Sequence, residues 1–546
     1  MKVKRIIAAA AAGWMVLGCA GAEGAMDLSE KYYLSGTGEA IIDDVVFPEE
    51  ALPDDNSRVF YEIFVGSFSD SDGDGIGDLR GIIDRMDYLN DGDPASGLSL
   101  GVEGLWLTPI FRSPSYHKYD VRDYYTIDPD FGTMDDLREL VSLCHERGVK
   151  VILDLPINHT GTEHRWFKYF KYAQTVHDER HDYYDFYVWA PDGEAPAGRS
   201  FSHLAGTGIS YESNFASSMP ELNFDSPLVR GAVLDVAKFY LDLGVDGFRF
   251  DAAKYIYYGD TESSVKFWQW YTDELRAVRP DVYLVAEVWD SDGVTGKYAV
   301  CMDCFDFTVS QAGGLIAETA KAGNVDRYTA YVEKYIGGIS DAREGAMYIP
   351  FVANHDTDRA SGYLTAASGQ MKAAANLYIL GPGSPFIYYG EEIGLRGSRG
   401  GANTDANRRL AMRWGDGDTV RDPVGTTYDP AKQTESTVKS LKAYGESLYS
   451  YYKRLIMLRK ANPEIARGAY TAVLIPDSKL GGYIAEWNGK RVMVIHNTTL
   501  RTIELDLTTV AGGEGFMALH ACIGVGEAAL DGTMLRIEGQ TSVILR

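Results

Sequence analysis

The chain has 546 residues, 45% apolar and 24% charged, with a formal net charge of −26. That length exceeds one hydrophobic core and allows two or three domains, and the composition is globular rather than disordered. So large a negative charge excludes nucleic acid as a partner and suits a neutral ligand such as a sugar.

The first residues read as a targeting segment. Lys2, Lys4 and Arg5 form a basic start, and 6–17 is an apolar run too short to span a bilayer as a helix. Val16-Leu-Gly-Cys19 resembles the bacterial lipobox, which predicts 1–19 as a signal segment and a lipid anchor at Cys19. Ala20-Gly-Ala22 offers an ordinary signal-peptidase site instead. Either way the remainder is expected to be exported, anchored at the cell surface or periplasmic face or else secreted. Residues 20–56 are acidic, with Asp43-Asp44, Glu49-Glu50 and Asp54-Asp55, and predict a tether.

From residue 57 short β-rich runs alternate with helical periodicity. The strands are predicted at 59–68, 104–111, 150–159, 246–252, 283–289, 348–356 and 385–389, with a weaker run at 305–309. Amphipathic helices are predicted at 133–147 and 229–243. Eight such units imply an α/β fold, a (β/α)8 barrel over 57–159 and 225–462, with its active site at the C-terminal strand ends. After the third strand, 160–224 lacks a period and reads as an inserted domain. From 463 to 546 the pattern becomes antiparallel, a β-sandwich, with Asn488-Gly489 marking a type I′ hairpin.

Within the first barrel loop, Asp70, Asp72, Asp74, Ile76 and Asp78 occupy positions 1, 3, 5, 7 and 9 of an EF-hand-like loop. Hard oxygens at alternating positions predict Ca²⁺. Position 12 is Gly81 rather than Glu, so this is no true EF-hand. Cys301 and Cys304 have C-x-x-C spacing, but zinc would need a second pair, leaving two unligated thiols or a local disulfide.

Three strand ends carry acids. Arg249 and Asp251 are two apart in Asp246-Gly-Phe-Arg-Phe-Asp251, so both face the barrel interior. The guanidinium is expected to lower the Asp251 pKa and keep it ionised, as a nucleophile requires. Glu287 ends Tyr283-Leu-Val-Ala-Glu287, where burial is expected to raise its pKa and suit it to general-acid work. Asp356 ends Phe351-Val-Ala-Asn-His355-Asp356. Glycosidases that retain configuration need two carboxyls about 5–5.5 Å apart, a distance that neighbouring barrel strands supply.

These blocks, with 104–109 and Asp154-Leu-Pro-Ile-Asn-His159 before them, resemble the α-amylase family of glycoside hydrolases (family 13 type) over roughly 58–546. The resemblance implies that Asp251 is the nucleophile, Glu287 the acid/base and Asp356 the stabiliser that grips sugar hydroxyls. It implies that Arg249 orients Asp251, that His159 and His355 bind the −1 sugar and that Tyr119 stacks on it. Asp120, Lys254 and Arg413 are carried over as further substrate contacts. The inserted segment corresponds to the family's domain B. Met219-Pro-Glu-Leu-Asn223 is most similar to the group intermediate between oligo-1,6-glucosidases and neopullulanases. The implied reaction is retaining, endo-type hydrolysis of α-1,4 bonds in starch or maltodextrin by a monomer. A 4-α-glucanotransferase and a neopullulanase or α-glucosidase are the alternatives. A non-catalytic glucan-binding lipoprotein would be expected to lack one of the three acids, and all are present.

Overall fold

A computed structural model describes residues 32–50, 52–365, 369–415, 417–475 and 479–546. The predicted signal segment and Cys19 therefore lie outside the described residues. Eight strands form one parallel sheet: β1 (Phe60–Ile63), β2 (Gly104–Leu107), β3 (Lys150–Leu155), β4 (Gly247–Phe250), β5 (Tyr283–Ala286), β6 (Asp303–Phe305), β7 (Tyr348–Ile349) and β8 (Phe386–Tyr388). β8 pairs with β1, and a parallel bridge between Phe351, just past β7, and Phe386 of β8 closes the barrel. Helices return the chain between strands. Among them α1 (Met134–Glu146) starts on a capping box between Thr133 and Asp136, and α2 (Pro227–Asp242) starts with Pro in its first turn.

The strands are shorter than their hydrophobic runs for local reasons. The 59–68 run turns into a 3-10 segment at Val65–Ser67. The 305–309 run belongs to a strand that ends at Phe305, because Asp306 accepts the Thr308 amide at 2.9 Å and bends the chain. The 348–356 run leaves the ladder at Ile349, just before Pro350, which has no amide to donate.

The barrel interior is a dry aromatic layer. Phe60 stacks on Phe386 at 4.7 Å, and Trp106, Phe305 and Phe351 pack beside them. Gly104 makes the room: a Cβ there would lie 2.4 Å from the Phe60 ring. One period-two step above this layer Glu62 follows Phe60, Asp154 follows Ile152 and Glu287 follows Val285, with Arg249 on the same face of β4. Polar chemistry thus sits on an apolar floor.

Between β3 and α2 the chain forms a helix, Arg165–Thr175, and a small antiparallel sheet of Trp189–Pro191, Phe201–His203 and Ile209–Glu212. The end of the chain forms a five-stranded and a three-stranded antiparallel sheet around a separate apolar core. Its hairpin turns at Asn488 and Gly489, both at positive φ as a type I′ turn demands.

The acidic tether expected at 20–56 is corrected from residue 32 onward. Ala40–Ile42 is buried and pairs with Tyr32–Leu34. The acids find cations on α3 (Leu448–Ala461) and its surroundings: Asp44 pairs with Arg454, both side chains only 7% exposed, and Asp55 pairs with Arg467 at 2.8 Å. Lys453 donates to the Ala40 carbonyl at 2.6 Å. Charge complementarity turns the segment into a strap. Cys301 and Cys304 are buried and are two thiols without a bridge.

Candidate active site

One guanidinium organises the top of the barrel. Arg249 is fully buried, and its Nη1 donates to Asp154 at 2.9 Å and to Asp251 at 2.7 Å. Its Nη2 donates to Glu287. Two carboxylates from adjacent strands are therefore fixed on two nitrogens of one planar group. Ala252, at φ 49°, turns the chain sharply after Asp251, and the Ala253 amide then donates to the Glu287 carbonyl at 3.0 Å. This non-glycine residue in the left-handed region marks a position where backbone strain is held for the site.

Asp356 is gripped from the other side. His355 meets it at 2.9 Å through Nε2 while its Nδ1 lies against Glu62 at 2.5 Å. Arg409 donates to the second Asp356 oxygen at 2.8 Å and to the His355 carbonyl at 3.1 Å. The Tyr119 hydroxyl donates to Asp154 at 2.9 Å, and its ring stacks on His355 at 5.5 Å. Three acids, two arginines and a histidine are locked before any ligand arrives.

This environment separates the acidities. Burial pushes Glu287 up to about 7 against the pull of Arg249, which makes it the proton-bearing acid near neutrality. Asp251 departs from the sequence expectation: burial, aided by Asp154 and Asp356, outweighs Arg249 and moves it upward. Asp356 goes the other way, because His355 and Arg409 overcome burial and hold it well below the usual carboxylate range. Burial works to lower His355, but Asp356 and Glu62 override it and raise the imidazole to about 10, so it is a cation. His159 is neutral, lowered by burial to about 4.

A cleft of about 940 Å³ opens over these groups. It is lined by Asp251, Glu287 and Asp356 together with Tyr119, His159 and Lys254. His159 Nε2 is buried without a protein partner, as a group reserved for a ligand would be. Lys254 bridges to the Trp289 carbonyl at 2.6 Å and to Asp290 at 3.1 Å. The hydroxyls of Ser113, at 2.6 Å, and Ser115 hold one oxygen of the Asp120 carboxylate. One carried-over contact is corrected. Arg413 lines a separate cavity with Asp418 and Tyr428, and Arg409 is the arginine at Asp356.

Glu62, Asp154, Arg409 and Phe215 were not singled out as site residues by sequence. Glu62 and Asp154 carried a usable signal, each a lone acid inside an apolar strand. Arg409 and Phe215 sit in aperiodic segments and carried none.

The predicted metal loop is partly assembled. Oxygens of Asp70, Asp72 and Asp78 lie within 4.8 Å of one another. Asp74 is outside that group and accepts the Ile76 amide at 2.7 Å instead. Asp78 also caps the following helix through the Gly81 amide at 2.6 Å. Three hard carboxylates at this spacing fit a calcium ion.

The profile described as "Alpha amylase, catalytic domain" matches residues 62–468. The chain is 34% identical over 446 residues to alpha-amylase 3 of Dictyoglomus thermophilum, covering 81% of this chain and 84% of that protein. It is 33% identical to the 4-alpha-glucanotransferase of Thermotoga neapolitana over 63% of this chain and 74% of that one. The solved structure of Eubacterium rectale Amy13B superimposes with a TM-score of 0.83 at 32% identity, covering 92% of this chain and 97% of its own.

Proposed function

Because the chain belongs to the α-amylase family of glycoside hydrolases, we propose that it cleaves internal α-1,4-glucosidic bonds of starch or maltodextrin with retention of configuration. The observation that supports this reading is the sharing of Arg249 between Asp251 and Glu287, a fixed nucleophile beside a proton-bearing acid.

In the first displacement an Asp251 oxygen attacks the anomeric carbon while Glu287 gives its proton to the leaving glycosidic oxygen. The C–O bond breaks, the free chain end departs and a glycosyl ester remains on Asp251. Glu287, now a carboxylate, takes a proton from water, which attacks the same carbon and releases Asp251. Asp356, held ionised by His355 and Arg409, accepts hydroxyls of the −1 sugar and favours the cationic transition state. Neutral His159 offers its free Nε2 to the same sugar. The Asp70, Asp72 and Asp78 carboxylates, with the Ile76 carbonyl, would hold a structural Ca²⁺ that ties the first loop to the helix behind it. We place the enzyme outside the cytoplasm, anchored through a lipid on Cys19 and acting as a monomer; a Cys19→Ala variant is expected to lose membrane association on fractionation.

Transfer to a sugar acceptor is the second reading, favoured by the likeness to a 4-alpha-glucanotransferase. Product analysis separates the two. Maltoheptaose, starch and pullulan should give shorter maltooligosaccharides from the first two; early products longer than maltoheptaose would establish transfer and overturn hydrolysis as the main reaction.

A further inference from the structure

Arg199 lies in domain B, away from the catalytic acids, yet a closed circuit of contacts runs through it. Its Nε donates to Glu212 at 2.6 Å, and Nη2 grips the second oxygen of the same fully buried carboxylate. The Asn214 amide group donates to Glu212 at 2.7 Å, and the Asn214 side-chain oxygen accepts the Ser200 amide at 2.9 Å. The next residue, Phe215, projects into the cleft, where its ring meets Tyr255 at 5.0 Å. Tyr255 contacts Tyr258 at 5.7 Å, and the Tyr258 ring lies under the Arg199 guanidinium at 5.8 Å. The circuit thus returns to its start.

It joins the inserted domain to the segment that follows β4. Glu212, Asn214 and Phe215 belong to the inserted domain, whereas Tyr255 and Tyr258 follow β4 and the nucleophile Asp251. Tyr255 stands on the Lys254 side of the cleft, its ring 5.4 Å from the ammonium that also donates to the Trp289 carbonyl beyond Glu287, and Phe215 spans from Tyr255 to His159, 5.3 Å from that ring. His355, Asp356 and Arg409 grip the opposite side. Because Glu287 must protonate the leaving oxygen, its side is where the departing sugars lie.

We propose that Arg199 is a positioning residue for the acceptor half of the cleft: its bidentate hold on Glu212 and its seat on Tyr258 fix the Phe215–Tyr255 wall against which the leaving glucose units rest. It touches neither substrate nor the reacting atoms. The charge alone does not suffice, since a lysine cannot reproduce the two-pronged contact. This inference rests on the α-1,4-glucan reading above, because the wall matters only to a substrate that extends past the cleaved bond.

Two substrates separate the effects. Maltoheptaose fills both halves of the cleft, whereas α-maltosyl fluoride fills the donor half, and its C–F bond breaks to release fluoride while the maltosyl group passes to Asp251. Arg199→Ala should raise KM for maltoheptaose about tenfold, the factor corresponding to about 1.4 kcal/mol, and leave kcat on α-maltosyl fluoride unchanged. Arg199→Lys should give an intermediate KM. Glu212→Gln, which keeps the side-chain shape, should reproduce the effect and serves in place of Arg199→Ala if that variant does not fold. In a Phe215→Ala background, Arg199→Ala should add nothing further. An unchanged maltoheptaose KM, equal losses on both substrates, or additivity with Phe215→Ala would each overturn the assignment. Wild-type protein that turns over the fluoride but not maltoheptaose would instead overturn the glucan reading itself.

Discussion

Glu287 is the residue whose state the surroundings alter most usefully. With its pKa raised to about 7 by burial, the proton needed for the first displacement is held below that value and lost above it. The kcat/KM profile should therefore fall on its alkaline side around pH 7, as a property of the coupled Asp251–Glu287 pair. A rate still flat at pH 9 would argue against Glu287 as the acid. Glu287→Gln should remove activity on maltooligosaccharides while leaving the fold intact. Arg409 offers a second test. Its removal deletes a charged hydrogen bond to Asp356 worth about 1.5–3 kcal/mol, so kcat/KM should drop roughly 10- to 100-fold. Asp251, Glu287 and Arg249 were legible because each breaks an apolar strand pattern at a period-two position, and Asp356 because it ends an apolar run. Arg409 was not, since the segment that brings it over Asp356 has no repeating pattern, and the family resemblance carried the contact to Arg413 instead.

At the scale of an element, the strap from Tyr32 to Asp55 shows where charge pattern alone misleads. Its acids read as a solvated tether because their partners lie some 400 positions away, in α3 and beyond. Once Ala40–Ile42 is buried beside Lys453, the acids become ion-pair members. Arg454→Ala would leave Asp44 buried without a cation and should cost about 3–5 kcal/mol of stability, measured by urea unfolding. A double change of Asp44→Asn with Arg454→Met should recover most of that loss. The barrel strands, by contrast, were readable as hydrophobic runs. Only their ends were misplaced, at Val65, Asp306 and Pro350, where turn chemistry overrode hydrophobicity.

At the scale of the whole molecule, the loop holding Asp70, Asp72 and Asp78 joins β1 to the segment 415–421: Thr419 donates to the Asp70 carbonyl at 3.3 Å and the Arg421 amide to the Gly75 carbonyl at 2.9 Å. A bound Ca²⁺ would stabilise both, by about 2.7 kcal/mol at a hundredfold excess over its Kd. Chelation should lower Tm by several degrees in wild type and have no effect in an Asp72→Asn variant; equal chelator sensitivity in both would count against the site. The aromatic floor of Phe60, Trp106, Phe305, Phe351 and Phe386 has a different reach. It closes the barrel beneath the acids, so the water that resolves the glycosyl ester has to reach it from the cleft, the same space the departing sugar occupies. The slower that fragment clears the cleft, the better its chance of being joined back to the glycosyl group. Hydrolysis and transfer then become outcomes of one race for the same space, decided by traffic rather than by the acids.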